Sequence, residues 1–275
     1  MSRWTIEEAT ALDFDGIVAL KVLLMGGHIS VLGTDDAPSV QVGDVNGQPL
    51  RVSHEAGMLN ITHENLWEGL LKWLGPQRCS ADLTVMVPKD CPVQLNLVNA
   101  DAVITGLTSG VSVKSGAGDI TIDGVSGHIT ANTVSGVVEA QGLDGAVNFS
   151  SISGELALAG GSVDWLAART VSGRIAADVD LADDGRVQVN TVSGEVALRL
   201  LDSTSAQVSL TTVGGRIDSS FDELDQVGRT MPKSVSGTLG DGTGRLTVAT
   251  VSGDVTLLSR PGDSARPGGE PDVEV

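Results

Sequence analysis

From Ser115 to Ala159 apolar and polar positions recur every nine residues, in the units SGAGDITID, GVSGHITAN, TVSGVVEAQ, GLDGAVNFS and SISGELALA. The fourth position is always glycine: Gly118, Gly127, Gly136, Gly145 and Gly154. The sixth is always aliphatic, as Ile120, Ile129, Val138, Val147 and Leu156, and the eighth is Ile122, Ala131, Ala140, Phe149 and Leu158. The second is apolar in four units, as Val125, Val134, Leu143 and Ile152. Alternation at positions 2, 4, 6 and 8 is the period of a strand with one buried face. Those four positions are therefore expected to point inward. Three residues separate position 8 from the next position 2, which breaks the alternation and places a corner there. The inward glycine is expected to admit a bend or a close backbone approach.

The signature returns at longer intervals as Val171-Ser172-Gly173, Val192-Ser193-Gly194, Val213-Gly214-Gly215, Val235-Ser236-Gly237 and Val251-Ser252-Gly253. Short repeats of this kind stack into a solenoid. One coil is expected for every 16 to 22 residues or so, two nonapeptides per coil in the strict region. The residues after the later glycines are Glu155, Arg174, Glu195, Arg216, Thr238 and Asp254, which in sequence order would form a largely alternating charge ladder. Val192 and Val196 are both expected inside.

Upstream, Ile17–Leu24, His28–Leu32, Ser39–Val45, Leu50–Ser53 and Met58–Thr62 read as strands, as do residues 82–87 and 93–98. Gly26-Gly27-His28-Ile29 looks like a degenerate copy of the bend. One segment has helical spacing instead: Leu66, Trp67, Leu70, Leu71, Trp73 and Leu74, stopped by Gly75-Pro76. It is expected to be a short amphipathic helix at 64–74, capping the solenoid or docking a partner. The fold class is thus all-β: a single-stranded, β-helix-like solenoid. Residues 1–101 form an irregular β cap carrying the short helix, and 102–259 form the regular coils of the same domain. Residues 260–275, rich in Pro, Gly and Asp, form a disordered tail.

Composition narrows the function classes. With 17 basic and 35 acidic side chains the formal charge is −18, which disfavours nucleic acid and anionic lipid. A protein partner or self-association is the expected mode of interaction, and membrane contact has little support. Three Phe, four Trp and no Tyr leave few aromatics. The start of the chain lacks the apolar run of a signal peptide, and no 18-residue apolar run occurs, so a cytoplasmic location is expected. Cys79 and Cys91 show no metal spacing and read as reduced thiols.

No catalytic, cofactor-binding or metal constellation stands out. His28, His54, His63 and His128 fall in no zinc spacing. His54 and His63 flank one strand and could meet across a turn. The repeat resembles a calcium-binding β-roll, but its ligand position is aliphatic here, and calcium takes oxygen. Gly124-Val125-Ser126-Gly127 is one residue short of a nucleophile elbow, and Gly240–Gly244 lacks the lysine of a phosphate loop. A carbohydrate-active β-helix would pair carboxylates on one face. Asp119 and Glu155 are expected to be separated by Val137, so the chain is expected not to be an enzyme.

The stretch Leu83–Val93 (LTVMVPKDCPV), the segment Val111–Asp119 and the Val-Ser-Gly copies such as TVSGEVAL resemble the bacterial putative-adhesin or toastrack family of β-strand-repeat domains, common in actinobacteria. The likeness covers roughly residues 14–258. It implies the solenoid fold and a non-catalytic structural or interaction module, such as a scaffold or sensor in envelope-stress regulation. It transfers no catalytic residue. The other readings are an adhesin, a carbohydrate-active enzyme, and a self-assembling solenoid that adds strands end to end through its last coil, Asp254–Ser259.

Overall fold

The computed structural model describes residues 2–63, 79–227 and 232–262. Every regular element among them is a strand. The first eight are β1 (Ser2–Ile6), β2 (Thr10–Asp13), β3 (Ala19–Thr34), β4 (Ser39–Asn46), β5 (Leu50–Glu55), β6 (Met58–His63), β7 (Ser80–Pro88) and β8 (Val93–Thr105). The middle of the chain forms β9 (Val111–Ala117), β10 (Ile120–Asp123), β11 (Ser126–Thr133), β12 (Val137–Gln141), β13 (Asp144–Ser151), β14 (Glu155–Thr170) and β15 (Ile175–Thr191). The remainder forms β16 (Val196–Leu201), β17 (Ala206–Thr212), β18 (Ile217–Ser219), β19 (Asp225–Val227), β20 (Lys233–Leu239), β21 (Gly244–Thr250) and β22 (Val255–Arg260). The helix expected at 64–74 lies outside the described residues, as do residues 263–275 of the expected tail. Arg260, assigned to that tail from sequence, closes β22 and pairs with Asp178 at 2.8 Å.

The nonapeptides coil two to a turn. Ala102, Ile120, Val138 and Leu156 stack in parallel register eighteen residues apart, building one face. Leu95, Val113, Ala131 and Phe149 stack in the same way on the opposite face. Positions 6 and 8 fill the space between the faces, and Phe149 is the largest fully buried side chain there. The rest of this core is Val, Ile, Leu and Ala, whose branched or short side chains suit two closely apposed sheets. Burial of this continuous row and the ladder hydrogen bonds between coils hold the stack together. β3 and β8 each run through a bend from one face to the other. At Gly27, φ is 101° and the backbone of Ala81 passes where a Cβ would sit.

The order of coils departs from the order of the chain at both ends. β3 lies between β8 on one side and the later strands β6 and β7 on the other. At the far end, β21 and β22 are inserted between β15/β16 and the earlier strands β17/β18: Val196 pairs with Val255, and Val255 with Ile217. Antiparallel strands then close each end. β5 and β1 follow β6, β4 and β2 follow β7, and β20 and β19 follow β17.

The last coil expected as a polymerising edge is therefore an interior rung, hydrogen-bonded on both sides. Among the described residues the outermost strands have only five residues (β1), four (β2) and three (β18 and β19). Short edges of this kind limit strand addition by another chain.

Candidate interaction surface

The two corners of a coil are built differently, and the difference lies at position 1 of the repeat. At one corner it is Ser or Thr: Ser115, Thr133, Ser151, Thr170, Thr191, Thr212 and Thr250, all buried. A buried hydroxyl needs a partner. From Ser151 onward each finds one in the backbone N–H three residues later, which donates to it: Gly154 at 2.6 Å, Gly173 at 3.0 Å, Gly194 at 2.9 Å, Gly215 at 3.0 Å and Gly253 at 2.9 Å. The serine of the motif then donates to the preceding rung, as Ser153 does to the Val134 carbonyl at 3.1 Å and Ser193 to that of Val171 at 3.2 Å. At the other corner position 1 is Gly124 or Gly142, and no such cap forms.

Turning the hydroxyl inward turns the next residue outward. Val134, Ile152, Val171, Val192, Val213 and Val251 are between 47% and 55% exposed. The inward assignment of position 2 fails at this corner and for Val192; it holds at the other corner, where Val125 and Leu143 are buried. The exposed residues fall into one row, in the order Val134, Ile152, Val171, Val192, Val251, Val213, because their neighbours are hydrogen-bonded rung to rung: Ser153 N–H to Val134, Ser172 to Ile152, Ser193 to Val171, Ser252 to Val192 and Gly214 to Val251. Six rungs at about 4.8 Å make a row about 24 Å long.

The corner glycines form a parallel column. Gly118, Gly136, Gly154, Gly173, Gly194, Gly253 and Gly215 succeed one another, each packed against the carbonyl of the one before. Gly127 and Gly145 belong to the second corner, and Gly237 belongs to neither: it pairs antiparallel with Val208 in β20.

Beside the row runs the charge ladder, in altered order. Arg174 bonds Glu195 at 3.0 Å, and Arg216 bonds Asp254 at 2.9 Å. Glu195 and Asp254 are neighbours, since Val196 pairs with Val255, and Thr238 lies elsewhere, opposite Gln207. The Arg216 backbone N–H and guanidinium hold the Asp254 carboxyl below its usual range.

The Toastrack DUF4097 family model matches residues 34–258, most of the chain. The chain belongs to this family. Solved structures with a similar course include a protein described as a putative cell adhesion protein from Clostridium sporogenes, at 12% identity and TM-score 0.32, covering 94% of this chain and 100% of that one. A second is described as a putative adhesin from Bacteroides fragilis, at 10% identity and TM-score 0.38, covering 94% and 97%. A third is described as a putative lipid binding protein from Parabacteroides distasonis, at 11% identity and TM-score 0.33, covering 92% and 97%. No curated protein matches the sequence.

The remaining sequence-derived candidates of this toastrack chain are scattered. The segment of Leu66, Trp67, Leu70, Leu71, Trp73 and Leu74 lies outside the described residues. His54 and His63 do not meet: they sit at opposite ends of the β5–β6 hairpin, opposite Leu59 and Leu50. His54 packs edge-on against Phe14 at 5.6 Å. His63 is buried, its Nδ1 accepts the Met25 N–H at 3.4 Å and its Nε2 has no partner. Burial pulls its pKa down to about 4. Burial, with Asp90 beside it, pushes the Cys91 thiol up to about 11. That leaves little thiolate near neutrality.

Asp119 and Glu155 lie on either side of Val137. Asp119 accepts the Val137 N–H at 2.9 Å. Two rungs put their backbones about 9.6 Å apart along the stack. Among the described residues, six of the ten large hydrophobic side chains left exposed lie on this corner row, and sequence reasoning missed it. The signal that marks it is the alternation of position 1 between Ser/Thr and Gly every nine residues.

Proposed function

We propose that the chain is a non-catalytic interaction module that takes a protein partner along the Val134–Val213 row. The observation that carries this reading is the row itself: six β-branched side chains in register, each about half exposed. An apolar centre with a polar rim is the anatomy of a protein contact. Here the rim is the mixed-sign ladder of Glu155, Arg174, Glu195, Asp254 and Arg216, beside serines whose hydroxyls are already used. Anionic lipid would favour a basic rim instead. Solitary exposed aliphatics are ordinary, whereas a contiguous row invites a partner. The family resemblance supplies the setting, a scaffold or sensor role in envelope-stress regulation, and adhesion is the alternative setting.

The test is affinity capture from the native host with three baits: the parent, a variant with Ile152, Val171 and Val192 all changed to Lys, and a variant with Trp67 and Trp73 changed to Ser. The reading expects a stoichiometric partner that binds the parent and the Trp variant and is lost with the Lys variant. A partner retained by the Lys variant and lost with the Trp variant refutes the row as the contact. Recovery of the chain alone, with a concentration-dependent shift in sedimentation, assigns the row to a second copy instead.

A further inference from the structure

Most arginines that the coils bring beside another rung face a carboxylate there: Arg174 meets Glu195, Arg216 meets Asp254, and Arg199 and Arg260 share Asp178. Arg169 lies between Ser150 and Asn190 instead, and at one place two arginines are set side by side. Arg186 in β15 is the direct parallel neighbour of Arg245 in β21, in a chain whose net charge is −18. Both are exposed, and neither makes an ion pair or a side-chain hydrogen bond among the described residues. Like charges directly across a ladder repel, so this placement is unfavourable for the fold locally.

The neighbours of the pair complete a platform. Along the same outward column Trp165 precedes Arg186 and Gln207 follows Arg245, each at the rung spacing of about 4.8 Å. A depression of about 360 Å³ is lined by both arginines together with Gln207, Thr243 and Asp184. Trp165 is partly exposed and stands on the next rung, beside the lining of that depression and outside it. Two guanidinium forks at this spacing can each take an oxyanion by paired N–H donation. The indole next to them offers a flat apolar surface of sugar-ring size, and the Gln207 amide and Thr243 hydroxyl suit ring hydroxyls. A polynucleotide would bring many negative charges against an acidic protein, whereas a short saccharide brings only two or three.

We propose that Arg186, Arg245 and Trp165 form a binding site for an acidic saccharide, a sugar chain bearing carboxylate or sulfate groups, at the edge of the sheet away from the aliphatic row. The anionic group sits on the two arginines and an adjoining ring lies on Trp165. The Asp184 carboxylate at the rim opposes the ligand's charge, so Asp184→Asn tightens binding.

The test is calorimetry of the full chain at low ionic strength with trigalacturonate, a sulfated trisaccharide, neutral maltotriose and sodium sulfate. The expected result is binding of at least one acidic trisaccharide about tenfold or more tighter than maltotriose or sulfate alone. Arg186→Gln and Arg245→Gln each weaken it by about tenfold or more, with a melting temperature unchanged or raised because a like-charge contact is relieved. Trp165→Ala weakens it several-fold. Arg169→Gln, an exposed arginine on the same face, leaves it unchanged. The proposal is overturned if neither acidic sugar binds, if maltotriose or sulfate alone binds as well, if the Arg186 and Arg245 variants bind like the parent, or if Arg169→Gln weakens binding equally.

Discussion

Replacing Gly154 by alanine tests the coil stacking through the corner glycine column. An added Cβ there would lie 2.6 Å from the Gly136 carbonyl oxygen, 2.7 Å from Ser151 Oγ and 2.9 Å from Thr133 Cγ2. Carbon approaches such atoms without strain only near 3.2–3.5 Å, so three neighbours must each retreat by about half an ångström. They lie on different sides, in the rung below and in the corner itself, and no single shift relieves all three. Overpacking of this kind costs about 1–3 kcal/mol. Moving Ser151 also stretches its 2.6 Å hydrogen bond from the Gly154 N–H, worth about 1 kcal/mol. Against this, alanine restricts the unfolded chain and returns about 0.4–1 kcal/mol. The net loss is about 1–3.5 kcal/mol, a melting point lower by about 3–12 °C for a domain of this size. Gly110→Ala is the control: its Cβ would meet nothing closer than 3.7 Å, so it is expected to be neutral or slightly stabilising. Thermal unfolding followed by circular dichroism reads both. If Gly154→Ala melts with Gly110→Ala, the rungs are not packed through this column.

Two further outcomes follow from the same geometry. Val196→Asp places a carboxylate between the faces without a partner and is expected to cost several kcal/mol, while Val192→Asp, four residues earlier on the exposed row, stays within about 0.5 kcal/mol of the parent; urea titration separates them, and equal loss would put Val192 back inside. His63 has a folded pKa of about 4, below its unfolded value of 6.5. The unfolded chain therefore gains the proton first as pH falls. The stability present above about pH 6.5 declines by up to about 3 kcal/mol towards pH 4. His63→Gln is expected to remove that slope from stability measured against pH, and an unchanged slope would show that His63 is solvated.

Much of the architecture was legible in the chain. The nine-residue period, two strands per coil, the close glycine approach and the inward residues at positions 6 and 8 all follow from alternation and its interruption. They survive because backbone pleat and side-chain direction are local. Position 2 was misread because one rule was applied to two corners. Val125 follows a glycine and turns in, while Val134 follows Thr133, whose buried hydroxyl takes up the corner and turns the valine out. The N-terminal bend at Gly26-Gly27 was legible for the same reason as the regular corners, since it too lies where a neighbouring backbone leaves no room for a side chain.

What the sequence determined by itself, then, is the unit: a strand, a corner and the composition of its two sides. Which unit lies beside which was decided only by the tertiary structure. Parallel rungs of equal period offer each other the same hydrogen bonds whatever their distance along the chain, and the entropy of closing a longer loop grows slowly with its length. β22 could therefore pair with β16 across the intervening strands as readily as β17 and β18 could follow it. That insertion buries the last coil, sets Asp254 between Glu195 and Arg216, and brings Arg245 beside Arg186.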